Sequence, residues 1–131
     1  MNRHIIGFVL VFVGGGVGSM LRHASNQISL SLLGPDFPYG TMFVNITGSF
    51  LMGLLAGWFA LRGTGGQMVP LFLTTGILGG FTTFSTFTLD VAVLWERGQV
   101  AAATAYVAGS LVTATIGIFS GLALTRVLLG R

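Results

Sequence analysis

Long uncharged stretches separated by short polar segments are the main feature of this sequence. Charges stand near the ends of these stretches, at Arg3, Arg22, Asp36, Arg62, Asp90, Glu96, Arg97, Arg126 and Arg131. Each stretch is long enough to cross roughly 30 Å of hydrocarbon as a helix. The pattern predicts an all-α membrane protein, a single domain over residues 1–131, with four transmembrane helices at approximately 4–24, 40–61, 68–95 and 99–126.

The third span differs from an ordinary lipid-facing helix. Residues 74–87, TTGILGGFTTFSTF, contain three glycines, six hydroxyl side chains and three phenylalanines. Glycines weaken a helix, and hydroxyl groups cost free energy on transfer to lipid. We therefore expect this helix to be broken at Gly79 and Gly80, at mid-membrane. Irregular backbone at that depth must be buried in protein or line a cavity, which indicates a transport site.

Neutral hydrogen-bond donors recur along the predicted helices, and no carboxylate lies at mid-span. The donors are Asn45, Ser85, Thr86, Tyr106 and Ser110. Donors without a fixed charge suit a small anion. Phe84 and Phe87 share a helix face, and the electropositive edges of their rings also suit an anion. The pattern argues against a proton-coupled cation carrier, which needs a buried carboxylate.

Each candidate residue also has a structural interpretation, and the sequence leaves both open. Asn45 is explained equally well by a hydrogen bond between helices. Phe84 and Phe87 are compatible with lipid contact or packing. Arg22 is either an interfacial anchor or a cationic mouth that concentrates anions.

Small residues spaced four apart predict close helix packing. They form pairs in the first and second spans, Gly14 with Gly18 and Gly53 with Gly57, and a longer row in the fourth, Gly109, Thr113, Gly117 and Gly121. The fourth-span row indicates an interface within the helix bundle or between two chains.

Composition and charge exclude several classes of protein. Only 7% of the residues are charged and the mean hydropathy is +0.89, against about 25% charged residues in a soluble domain. The net charge of +3 comes from arginines scattered at span ends, which indicates interfacial anchors and no nucleic-acid binding. The sequence contains neither paired carboxylates nor metal-ligand spacing of the kind that indicates an enzyme.

The numbers of arginines on the two sides of the membrane differ only slightly. This difference is small enough to allow insertion in both orientations.

Three motifs carry a family resemblance. GGGVGSMLR (14–22), GTMFVN (40–45) and GGFTTFSTF (79–87) occur in this order in a four-helix chain of this length. The combination resembles the Fluc/CrcB family of fluoride channels, over essentially the whole chain. The resemblance implies an antiparallel, dual-topology homodimer in the cell inner (plasma) membrane. Two pores per dimer would pass fluoride out of the cell passively and so relieve its toxicity.

The resemblance also implies roles for individual residues. Phe84 and Phe87 would be the paired pore phenylalanines, and Asn45 the amide that positions a ring and helps to hold the ion. Further pore positions, a tyrosine and a track of hydroxyls, would be Tyr106, Ser85, Thr86 and Ser110.

The remaining implied roles concern a cation and the pore mouth. The carbonyls of Gly79 and Thr82 would hold a structural Na⁺ at the dimer axis, and Arg22 would be the basic residue of a vestibule. Two positions depart from the family pattern: His23 replaces the usual aromatic residue, and Ala114 replaces the serine of some members.

Two other functions remain open at this stage. A small dual-topology multidrug exporter also has four helices but needs a membrane-embedded acid in its first helix, and residues 4–21 contain none. A non-conducting assembly subunit, packed through its glycine faces, would leave the hydroxyl and aromatic positions unexplained.

Overall fold

The computed structural model describes residues 2–130, in which all regular secondary structure is helical. The helices are α1 (Arg3–Leu33), α2 (Tyr39–Arg62), α3 (residues 68–81), α4 (Phe84–Glu96) and α5 (Val100–Leu129). Within α3, Leu71–Leu78 is π-helical. Arg131, one of the arginines noted above, lies outside the described residues.

Four segments of the described chain are long and apolar enough to cross a membrane. They are Arg3–Leu33, Tyr39–Arg62, Met68–Glu96 and Val100–Leu129, with mean hydropathies between 1.5 and 1.9. The prediction of an all-helical protein with four membrane helices is confirmed.

The first helix is longer than predicted. It continues to Leu33 instead of ending at residue 24, because residues 25–33 contain neither glycine nor proline. Gly34 then ends it with a φ of 79°. The Gly34 amide donates to the Leu30 carbonyl at 3.0 Å, and Pro35 follows, a common order at helix C-termini. Nine of the residues between the first two predicted spans, 25–33, are therefore helical.

Helices α1 and α3 contact each other through their backbones. A Cβ on Gly14 would lie 2.9 Å from the Phe72 carbonyl oxygen, and one on Gly18 would overlap the Ile77 carbonyl oxygen. On the α3 side, Gly76 and Gly80 are equally close to α1. Glycines on both helices permit this approach.

Helices α2 and α5 form the most extensive helix–helix contact. A Cβ on Gly53 would strike the Ile118 carbonyl, and one on Gly121 would strike the Phe50 carbonyl. The Thr125 hydroxyl donates to the Leu54 carbonyl at 3.1 Å. The small-residue face of the fourth span, interpreted above as a bundle or dimer interface, packs within the chain at these positions.

The third span is interrupted at Thr82 and Thr83, and not at the two glycines. Gly79 and Gly80 are helical, and a Cβ on Gly80 would overlap the Gly15 carbonyl oxygen, so the missing side chain serves packing. Thr82 (φ −87°, ψ 159°) and Thr83 (φ −155°, ψ 124°) are extended, a conformation that suits β-branched residues. The predicted position is therefore wrong by about one helical turn. That the interruption lies at mid-membrane stays a prediction.

Candidate functional site

Asn45 of α2 holds the interruption in place. Its Nδ2 donates to the Thr83 carbonyl at 2.9 Å, and the Thr83 amide donates to its Oδ1 at 2.8 Å. The structural interpretation of Asn45 is therefore correct. A carboxamide has two N–H donors, so one donor remains after these bonds, and whether it contacts an ion stays a prediction.

The carbonyls of Gly79 and Thr82 have lost their helical donors. In a continuous helix each would accept from the amide four residues later. The Thr83 amide donates to Asn45 instead, and the Thr86 amide donates to the Thr83 hydroxyl at 3.3 Å. Within residues 2–130 neither carbonyl has another donor, so both can accept from another partner.

A cavity of about 470 Å³, here called the central cavity, lies beside the interruption. Six of the predicted site residues line it: Asn45, Gly79, Thr82, Phe84, Phe87 and Ser110. The Ser110 hydroxyl is buried and has no hydrogen-bond partner within residues 2–130. An unpaired buried hydroxyl costs roughly 1–3 kcal/mol, so Ser110 can gain from a ligand in the cavity.

The two phenylalanines have different surroundings. Phe87 is buried, at 7% exposure, whereas Phe84 is 73% exposed. Their ring centroids are 5.8 Å apart, and the Phe87 ring lies 5.1 Å from that of Tyr106. Phe87 therefore belongs to the core, and Phe84 faces out of the chain.

A second cavity of about 330 Å³, here called the outer cavity, lies between the C-terminal part of α1, residues 34–41 and α4. Thr86 is the predicted pore residue that lines it. Asp90, also on the lining, accepts a hydrogen bond of 3.0 Å from the hydroxyl of the fully buried Tyr106. Asp90 is not among the predicted site residues, although its position one turn beyond Phe87 was a usable signal.

Three predicted site residues line neither cavity: the buried Tyr106 described above, Ser85 and Arg22. Ser85 is exposed on α4, and Arg22 is half-buried on α1. Neither is among the residues that line the central or outer cavity. Their predicted roles in the hydroxyl track and vestibule stay predictions.

Comparison with known proteins identifies close relatives. The family described as "CrcB-like protein, Camphor Resistance (CrcB)" matches residues 9–122. The chain is 56% identical over 119 residues to the fluoride-specific ion channel FluC of Rhodopseudomonas palustris (strain BisB5), covering 91% of this chain and 96% of that protein. It is 52% identical over 119 residues to FluC 2 of Nitrobacter hamburgensis, with the same coverage. It is 48% identical over 122 residues to FluC of Agrobacterium fabrum, covering 93% and 98%.

Proposed function

Since the chain belongs to the CrcB family, we propose that it is a fluoride-selective ion channel that exports cytoplasmic fluoride and so relieves its toxicity. Relatives of about 50% identity are named fluoride-specific ion channels, and channels of this kind are not enzymes. Within this chain, the observation that best supports this function is the central cavity beside the interruption, which is uncharged and lined by hydrogen-bond donors.

The central cavity has the chemistry that a small dehydrated anion needs. Fluoride loses its water only where donors replace it. The unpaired Ser110 hydroxyl and the second N–H of Asn45 are such donors, and the edges of Phe84 and Phe87 add positive electrostatic potential. No carboxylate or guanidinium lines this cavity in the described part of the chain. Chloride is larger and gains less from donors spaced for fluoride.

The proposed path connects the two cavities through hydroxyl groups. Thr83 lines the central cavity and Thr86 the outer one. The Thr83 hydroxyl donates to the Thr86 hydroxyl at 3.1 Å. The Phe87 ring, which lines the central cavity, packs against Tyr106, whose hydroxyl donates to Asp90 on the outer cavity. An ion that leaves the donors of the central cavity thus meets Thr86 next.

A second copy of the chain completes the proposed channel. Phe84 (73%) and Leu111 (55%) line the central cavity and are largely exposed. We propose that an antiparallel copy in the inner membrane closes this side, which gives two pores per homodimer. In that arrangement Ser85 would belong to the hydroxyl track and Arg22 to the vestibule.

A structural Na⁺ fits the same arrangement. The carbonyls of Gly79 and Thr82, without helical donors, supply the oxygen ligands that hard cations prefer. Two copies would bring four carbonyls to the dimer axis, where a cation relieves their mutual repulsion. Its role would be to hold the two interruptions together.

Growth of a bacterium that lacks its own fluoride exporter tests this function. Expression of the chain should restore growth in fluoride medium, with the empty vector as the negative control. The alternative of a small multidrug exporter predicts protection against a cationic drug instead. Drug resistance without fluoride resistance would refute the proposal.

A further inference from the structure

Gly48 of α2 lies where this helix touches the interruption of the third span. It is buried and lines the central cavity, three residues after Asn45. A Cβ on Gly48 would overlap the γ-methyl group of Thr82. Positions three apart share a helix face. One face of α2 therefore contacts both extended residues of the interruption: Asn45 bonds to Thr83, and Gly48 leaves room for Thr82.

The Thr82 side chain is held on its other branch as well. Its hydroxyl donates to the Leu78 carbonyl at 2.9 Å, and its amide donates to the same carbonyl at 3.0 Å. Both branches leave the same carbon atom, so the methyl group cannot rotate away from Gly48 unless the hydroxyl also leaves Leu78. The position of the methyl group is thus tied to the backbone of Thr82, whose carbonyl has no helical donor.

We propose that Gly48 is a positioning residue for the Thr82 carbonyl and, through it, for the Na⁺ ion proposed at the dimer axis. This inference rests on the proposed function. A side chain at position 48 pushes Thr82 away from α2 and so displaces its carbonyl oxygen. A cation site depends on the placement of its oxygen ligands, because each must lie within a narrow range of distances from the ion. Gly48 therefore acts on the ion without contacting it.

Moving the methyl group from Thr82 to Gly48 tests this contact. In Gly48→Ala alone, two methyl groups compete for one space. When Gly48→Ala is combined with Thr82→Ser, the nearest neighbours of the new Cβ are the Phe81 ring at 3.4 Å and the Cβ of residue 82 at 3.7 Å, both ordinary contacts. Serine also keeps the hydroxyl that donates to Leu78. The control for a glycine-to-alanine exchange within a helix is Gly16→Ala, whose Cβ meets nothing within 4 Å.

The measurement is thermal unfolding of the purified proteins in a Na⁺ titration, with choline replacing Na⁺ at constant ionic strength. The melting temperature of the parent should rise with Na⁺, because the ion binds the folded protein. For Gly48→Ala we expect the Na⁺ concentration at half of this rise to increase about tenfold, which corresponds to about 1.4 kcal/mol and lies within the range for overpacked sites. The double variant should return close to the parent value. Thr82→Ser alone leaves a gap and should bind Na⁺ more weakly than the double variant, and Gly16→Ala should titrate like the parent.

Each outcome decides the inference. A weaker Na⁺ response in Gly48→Ala that the double variant repairs supports it. An unchanged Na⁺ titration overturns it, even if the melting temperature falls at every concentration, because overpacking alone lowers stability with and without the ion. A double variant no better than Gly48→Ala also overturns it. If Gly48→Ala does not purify as folded protein, Thr82→Ser is compared with the double variant: tighter Na⁺ binding by the double variant supports the inference, and equal or weaker binding overturns it.

Failure of the proposed function gives a different result from failure of this inference. A parent protein without fluoride efflux from liposomes refutes the channel function. A parent that conducts fluoride but whose melting temperature does not respond to Na⁺ refutes the cation site and this inference together. A parent that responds to Na⁺, with variants that titrate alike, refutes only the role of Gly48.

Discussion

At the scale of single residues, Asn45 explains how a helix can stop and restart next to a cavity. The extended Thr83 would expose both its amide and its carbonyl, and one carboxamide pairs with both at 2.8 and 2.9 Å. Thr83 then caps α4 with its own side chain. The interruption thus depends on one side chain of α2 as much as on the residues of the third span.

Replacing Asn45 by the isosteric Leu should destabilise the fold. Both backbone groups of Thr83 would lose their partners, at roughly 1–3 kcal/mol for each buried group. We expect the free energy of unfolding in detergent to fall by about 2 kcal/mol or more. Gln67→Leu, a comparable carboxamide-to-leucine exchange at an exposed position, serves as the control. An Asn45→Leu protein as stable as this control would show that the two hydrogen bonds are dispensable.

Replacing Phe84 or Phe87 by Ile should distinguish the contribution of each ring to packing from its contribution to fluoride conduction. At the buried Phe87, which contacts Tyr106, the volume-similar change should cost on the order of 1–2 kcal/mol. At the exposed Phe84 it should cost less. Fluoride flux should fall sharply in both, because both lose an electropositive ring edge. Flux is compared on variants first shown to be dimeric by size-exclusion chromatography, and normal flux through both would remove the rings from the mechanism.

At the scale of helices, glycine packing fixes where the interruption stands relative to α1. The Gly14–Gly18 face of α1 meets Gly76 and Gly80 of α3 at backbone distance. Since Gly80 immediately precedes Phe81, the last residue of α3, a shift of this contact would also move Thr82 and Thr83.

Gly18→Ala should therefore destabilise the protein, and Gly16→Ala should not. A Cβ on Gly18 overlaps the Ile77 carbonyl, whereas a Cβ on Gly16 meets nothing within 4 Å. We expect a loss of about 1–3 kcal/mol for the first, as for other overpacked sites. The second should be neutral or slightly stabilising, since Ala is a better helix former than Gly. Thermal unfolding of both variants is the measurement, and equal melting temperatures would contradict the packing account.

The sequence predicted the four membrane spans, but it did not predict the position of the interruption or the contacts between the helices. Hydropathy and charge placement determine four membrane helices without knowledge of contacts. Gly79 and Gly80 were ambiguous, because a glycine serves bending and close packing alike, and only the position of Gly15 on another helix resolves Gly80. The Tyr106–Asp90 bond joins residues 16 positions apart, so no local pattern reveals it. Ser110 could be chosen as a donor from its type, but its lack of a partner depends on the packed structure.

At the scale of the whole molecule, the proposed dimer should depend on Na⁺. If the Gly79 and Thr82 carbonyls of two copies hold the ion, replacing Na⁺ by a large organic cation should lower the melting temperature, shift the purified protein towards the monomer and reduce fluoride flux. Size-exclusion chromatography and thermal unfolding, with and without Na⁺, test this. An unchanged dimer and melting temperature would exclude the site.

Fluoride efflux from liposomes that contain only the purified protein tests the central claim most directly. The donor-lined central cavity of about 470 Å³ predicts rapid release of fluoride, because Ser110, Asn45 and the ring edges replace its water. Chloride in the same liposomes should be retained, since its larger size leaves it poorly matched to these donors. Protein-free liposomes give the background leak. Fluoride release at that background rate, or chloride release as fast as fluoride, would contradict the account.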